Sequence, residues 1–208
     1  YHKLSLKLEN ELGDPIGIAY SMTQVASLHL QMAHYDSARF FYDKSLDLLR
    51  PLNDTQGLAY AHWGLGELYL YTEQVENAQF HSQQSFELFE IEENKKGMAE
   101  TSLIMGKTYM LDNNYAKAEE KLQFSKELST SLDAKNVILE SLLCLSKLYK
   151  ATADFKKSLD YHEQYTALQD TVLKSEMASN IREIEAKYDF EKQQQQIILK
   201  TLLQHLKK

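Results

Sequence analysis

Apolar positions along this chain recur with helical spacing, and the whole pattern recurs again at a longer interval. Displaced by 40 residues, the sequence falls onto itself in aligned columns without a gap. Tyr35, Val75, Tyr115 and Phe155 share one column, and Ala38, Ala78, Ala118 and Ser158 share another three positions later. Ala26, Gly66, Gly106 and Ser146 form a column restricted to small side chains. His29, Tyr69, Tyr109 and Tyr149 fill a large, mostly aromatic one. Gly17, Gly57 and Gly97 open the first three units, whereas the fourth carries Val137 there.

Such columns predict that each unit folds as two antiparallel helices, A and B. Small residues sit where the two cross, letting their backbones approach to about 8–10 Å, and the bulky column fills the space beside them. Helix A is predicted over 14–31, 54–72, 95–112 and 134–152, and helix B over 35–51, 75–92, 115–131 and 155–171. Asp14-Pro15, Asn53-Asp54 and Asp133 supply capping or first-turn signals for three A helices, and the polar run Asp112-Asn113-Asn114 separates A from B. The predicted organisation is four repeats at 14–53, 54–93, 94–133 and 134–173. Residues 1–13 keep the register, since Leu6 and Leu8 stand in the columns of Leu46 and Leu48, and they are expected to be helix B of a preceding unit. The chain opens on Tyr1 within that amphipathic pattern and without an initiator Met, so flanking sequence is expected before it. An all-α, right-handed solenoid of antiparallel hairpins with a long C-terminal helix is the expected fold.

These columns resemble the tetratricopeptide repeat, whose signature places Leu-Gly, then Tyr three residues later, then Ala in the second helix. Leu65-Gly66-x-x-Tyr69 with Ala78 and Met105-Gly106-x-x-Tyr109 with Ala118 carry the resemblance. It covers residues 14 to 170. The departures are a longer period than the family's roughly 34 residues, a missing closing Pro, and Met22, His62, Ser102 and Leu142 where the motif has Trp. Longer helices account for the added length.

Residues 174–208 leave the repeat register and read as one long helix rich in Glu, Lys, Gln and Leu. Its apolar positions, Ile181, Ile184, Tyr188, Ile198, Leu202 and Leu206, follow a three-four spacing, with Glu191 and Gln195 interrupting the seam. Two readings stay open: a helix that caps the last hairpin, or a signalling helix that pairs two copies of the chain. The run Asn180-Ile181-Arg182-Glu183-Ile184-Glu185-Ala186-Lys187-Tyr188-Asp189-Phe190-Glu191-Lys192, with Tyr165 and Asp170 before it, resembles the junction that follows the repeats in bacterial membrane sensors. In that group, tetratricopeptide input regions precede a histidine kinase, a diguanylate cyclase or a DNA-binding output domain. The resemblance implies a sensor module placed outside the inner membrane, whereas a free-standing adaptor would be cytoplasmic.

Composition removes several alternatives. Only 7 Gly and 2 Pro interrupt 208 residues, which suits long helices, and 30 acids against 23 bases give a net charge of −7. That balance argues against direct nucleic-acid binding, which needs clustered positive charge. No window reaches the roughly 18 uninterrupted apolar residues of a membrane span. The single cysteine, Cys144, lies in the apolar stretch SLLCLSKLY and is expected to be buried rather than nucleophilic. Neither a glycine-rich phosphate loop nor a catalytic motif is present. The histidines His2, His29, His34, His62, His81, His162 and His205 include no i,i+4 pair, and no cysteine cluster joins them, so no metal or cofactor site is expected. Catalysis is not expected of this chain, and a protein or peptide is the expected partner.

Binding is expected on the face lined by the A helices. Counting the small column as the eighth motif position, positions two, five and nine are Tyr20, Thr23 and Ser27 in the first unit and Tyr60, Trp63 and Glu67 in the second. They are Glu100, Leu103 and Lys107 in the third, and Glu140, Leu143 and Lys147 in the fourth. Residues at i, i+3 and i+7 share a helix face, so each triplet makes one stripe. Tyr20, Tyr60 and Trp63 would anchor an extended or helical peptide, unless the stripes serve only to pack one A helix on the next. The carboxylate-clamp branch of the family holds a peptide terminus with Lys and Asn. No Asn stands at these positions, which disfavours that ligand.

Overall fold

Turn geometry sets the rhythm of the chain. The computed structural model describes residues 13–205, without the side chains at 189 and from 196 onward. Among the described residues there are eight α-helices and no strand: α1 Pro15–Gln31, α2 Tyr35–Leu49, α3 Thr55–Tyr71, α4 Val75–Ile91, α5 Lys95–Leu111, α6 Tyr115–Ser131, α7 Lys135–Ala151 and α8 Phe155–His205. Helices α1 and α3 to α7 each have 17 residues. Helix α2 has 15, because Pro51, lacking an N–H, tightens its end into a 3₁₀ turn, Arg50–Leu52. The segment 1–12, expected to be a preceding helix B, lies outside the described residues.

Every turn contains one non-glycine residue in the left-handed region: Ala33, Asn53, Glu73, Glu93, Asn113, Asp133 and Ala153, with φ between 50° and 61°. That residue lets the next N–H reach back to the helix it has left, as His34 N does to His29 O at 2.8 Å and Asn114 N to Tyr109 O at 2.9 Å. The following helix starts at once. Asp14, Asp54, Asn94, Asn114 and Asp154 cap five of them, accepting from the N–H of Ile16, Gly57, Gly97, Lys117 and Lys157 at 3.0–3.3 Å. Asp133 does not take the capping role its sequence position suggests. It is itself the left-handed residue, a conformation Asp tolerates, and Ala134 occupies the cap position without a side-chain bond.

The chain divides into two compact units after Tyr165. In the first, consecutive helices pack as antiparallel pairs, giving a helical repeat structure of tetratricopeptide type. The small column lies at close helix contacts. A Cβ on Gly66 would stand 3.3 Å from the backbone nitrogen of Ser82, and one on Gly106 would lie 2.6 Å from the Leu122 side chain. In the fourth hairpin both small positions are serines, and Ser146 and Ser158 each donate to the other's carbonyl at 2.9 Å. A second column of small residues lies on the B helices, where Ser45, Ser85 and Ser125 are fully buried. Ser85 meets Thr101 at 3.2 Å and Ser125 meets Ser141 at 3.0 Å, tying helix B to the next helix A. Ala61 holds the matching place for Ser45, so Ser45 turns back to Thr23, at 2.8 Å, and to the Ala19 carbonyl.

Helix α8 has no break at residue 174, since nothing between Phe155 and His205 is Gly or Pro. Inside the first unit Tyr161 stacks on Tyr149, ring centroids 5.4 Å apart. In the second unit Leu173, Met177, Ile181, Ile184 and Tyr188 are exposed. The seam positions Ile198, Leu202 and Leu206 lie outside the described side chains.

One pair of core histidines stands out. His62 of α3 and His81 of α4 face each other, Nδ1 to Nδ1, at 2.9 Å, with Tyr69 stacked on His81 and Phe80 edge-on to both rings. Such a contact needs one ring to donate and the other to accept, so the accepting ring is neutral. Burial, His81 and Arg50 bring His62 down to about 4, and burial lowers His81 against the pull of Asp43.

Two outcomes are expected. Ala33→Gly and Ala153→Gly should each stabilise the fold by about 0.5–1 kcal/mol in urea unfolding, because a left-handed residue with a Cβ costs about 1–2 kcal/mol and glycine's extra freedom in the unfolded chain returns part of that. A loss of stability would place strain elsewhere in the turn. Because the unfolded chain binds protons to these histidines near pH 6.5 and the folded chain does not, stability should be complete above that pH. It should fall by roughly 2–3 kcal/mol as pH drops towards 4, and His62→Leu should remove most of this dependence. An unchanged pH profile in that variant would show the pair to be irrelevant to it.

Candidate functional site

The A-helix face carries three connected clefts. The first, about 260 Å³, is lined by Tyr20, Thr23, Gln24, Ser27, Tyr42, Tyr60 and Trp63. Ser27 and Trp63 also line the second, about 330 Å³, which adds Tyr35, Glu67 and Tyr71. Glu67 and Tyr71 in turn line the third, about 420 Å³, with Lys107, Cys144 and Lys147. These shared walls bring together seven of the sequence-selected positions: Tyr20, Thr23, Ser27, Tyr60, Trp63, Glu67 and Lys107, with Lys147 as an eighth at the far end.

The remaining positions behave differently. Leu103 is 6% exposed and belongs to the core formed with Leu122 and Leu145, so it packs helices and offers no surface. Glu140 is ion-paired with Lys107, a link between α5 and α7. Glu100 pairs with Lys96 along its own helix at 3.7 Å and lines a separate cleft beside Asp133 and Lys135. Leu143 is half-buried. Thr23 spends its hydroxyl on Ser45 and the Ala19 carbonyl. Helix-to-helix contacts thus use part of each stripe: Tyr20 reaches Gln56 at 3.4 Å, and Asn94 reaches Tyr60 at 3.5 Å.

Electrostatics divide the face into an aromatic end and a charged end. Burial and the nearby Asp54 push the Tyr20 phenol up to about 12. Burial also raises the Glu67 carboxyl, with Lys107 pulling against it and Glu140 and Glu100 adding to it. Burial pulls Lys107 down, but the hydrogen bond to Glu140 and that carboxylate's charge, with Cys144 and Tyr71, together hold it above the ordinary lysine value. Burial raises the Cys144 thiol, so it stays protonated, as its apolar sequence context implied. Among the described residues no group of three or more His, Cys, Asp or Glu is placed to hold a metal, and no helix is long and apolar enough to cross a membrane.

Several lining residues stand outside the positions selected from sequence, Tyr71, Cys144 and Tyr42 among them. Tyr71 lies one turn beyond Glu67 on the same helix face, and extending the stripe by four residues would have found it. Cys144 follows Glu140 in the same way. Tyr42 is different, since it belongs to helix B. Its phenol passes the A helices where Gly64 lacks a side chain; a Cβ there would sit 2.2 Å from the Tyr42 Cζ. No local spacing announces that contact. Trp63 Nε1 and the Tyr42 hydroxyl are buried, and neither has a hydrogen-bond partner.

No protein-family model and no curated protein sequence matches the chain. Among solved structures it is similar to BtubC from P. vanneervenii, with TM-score 0.69 and 17% identity over 76% of this chain and 66% of that one. It is also similar to a signal transduction ATPase with numerous domains from Pyrococcus horikoshii that carries a tetratricopeptide repeat sensor, with TM-score 0.68 and 16% identity. That match covers 80% of this chain but 26% of the ATPase. At such identities the likeness concerns the fold alone, and the fold shared is the helical repeat.

Proposed function

We propose that this chain is a protein- or peptide-binding input domain of a larger bacterial signalling protein, holding a partner segment along its A-helix face, and that it performs no catalysis itself. The observation that carries the reading is the run of three connected clefts from Tyr20 to Lys147, aromatic at one end and charged at the other. An extended segment suits such a row better than a compact small molecule does, because each cleft takes a side chain while the backbone crosses the ridges between them. The similarity to a protein with a tetratricopeptide repeat sensor, and the sensor-like sequence 180–192, support the signalling role.

A random-peptide display library selected on the folded chain tests the binding reading. Enriched peptides should lose about tenfold or more in affinity for Trp63→Ala combined with Tyr60→Ala, since buried aromatic anchors dominate such interfaces. Undiminished affinity in a variant that keeps its helical circular dichroism would move binding off this face. The runner-up is a free-standing adaptor with the same groove. Under the signalling reading the gene should continue past Lys208 into an output domain; a reading frame that ends there would leave the adaptor.

A further inference from the structure

We propose that the first cleft is a seat for one tyrosine side chain of the bound segment. The proposal rests on the groove reading above and adds the chemistry of the occupant. Rings of Tyr20, Tyr60 and Trp63 form the walls, and Tyr42, with no exposed surface, forms the deep end. A volume of about 260 Å³ falls below the roughly 300–1,000 Å³ of sites that enclose whole small molecules. It matches a single large side chain, and aromatic walls favour an aromatic ring.

Two polar groups define what that ring must carry. The Trp63 indole N–H and the Tyr42 hydroxyl are both buried without a partner, and leaving such a group unmet costs about 1–3 kcal/mol. An indole nitrogen can only donate, so the occupant must bring an acceptor, while the Tyr42 hydroxyl can donate or accept. Ser27 influences the Tyr42 phenol without completing a hydrogen bond to it.

Charge narrows the choice further. Asp54 bears on Tyr20 and Glu67 on Tyr42, and no Lys or Arg lines the cleft, so an aspartate, a glutamate or a phosphorylated tyrosine would be repelled. Lysine and arginine have no acceptor for the indole. Asparagine and glutamine accept, but leave the aromatic walls largely uncovered. Phenylalanine covers the walls and leaves both polar groups unmet. A neutral phenol does both: it fills the ring space, and its oxygen accepts from Trp63 while still able to bond Tyr42. In the unliganded arrangement neighbouring side chains cover both groups, so entry of the ring requires the rim to turn aside.

Trp63 is the chain's only tryptophan, so a single indole N–H resonance reports on this cleft. Titrating the full chain with N-acetyltyrosinamide should move that resonance. N-acetylphenylalaninamide should bind about tenfold more weakly, the penalty for leaving buried donors unpaired. Tyr42→Phe should narrow that preference while leaving the phenylalanine probe unchanged. Equal shifts from the two probes, no shift from either, or equal loss of both in Tyr42→Phe would each overturn the proposal. Peptides selected on the chain separate this failure from that of the groove: tyrosine-free peptides that need Tyr60 and Trp63 would keep the groove and remove the tyrosine seat, whereas no Tyr60- and Trp63-dependent peptide at all would remove both.

Discussion

Close approach of helix backbones at small side chains is the constraint from which the first unit is built. An added methyl group would be a tight fit at Gly66, 3.3 Å from the Ser82 nitrogen, and would overlap the Leu122 side chain at Gly106, and Ala26 and Ala38 are fully buried at the equivalent crossing. Once the crossing is fixed, the turn has little freedom. Seven turns share one left-handed residue each, and they accept Ala and Glu there although glycine would fit more easily. Such strain persists only where packing on both sides holds the backbone in place. The 17-residue length shared by six of the helices then follows, because a residue added to one helix would rotate every later side chain by about 100° around its axis.

Much of this was legible in sequence because it is local. Small and bulky columns at a fixed interval can be read from one chain, and they predict the hairpins and eight of the residues that line the clefts of the A-helix face. Other features depend on which helix lies behind which. The buried serines at 45, 85 and 125 look like ordinary polar residues of helix B until Thr101 and Ser141 are seen opposite two of them. His62 and His81 stand 19 positions apart, on two helices, so a search for ligand pairs at helical spacing passes over them. Asp133 carried a capping signal that the regular turn overrode. Helix α8 was divided on sequence because its repeat columns stop, yet loss of a packing pattern does not break a helix; only a residue that disfavours the helix does.

Part of the face proposed to bind also packs helices. Lys107 with Glu140 ties the third hairpin to the fourth, and Tyr20 with Gln56 ties the first to the second, so neighbouring A helices are held by contacts that run along the candidate groove. A partner that competes for these groups would loosen the link between hairpins as it bound. That coupling is what a sensing role requires, since a ligand shifts a conformation only through contacts that differ between its states.

Asymmetry along the row would give a bound partner its direction. The aromatic end lies between the first two hairpins, where Gly64 admits the Tyr42 phenol, and the charged end lies between the last three, where Glu67, Lys107 and Lys147 line a common cleft. Aromatic burial supplies most of the affinity in such interfaces, whereas half-exposed charges mainly reject the wrong partner and set its register. A segment with a ring near one terminus and charges towards the other can satisfy both ends in one orientation only. Reversed, it would press charge against Tyr20, Tyr60 and Trp63 and leave Lys147 without a counter-charge, so polarity of binding follows from the order of the repeats.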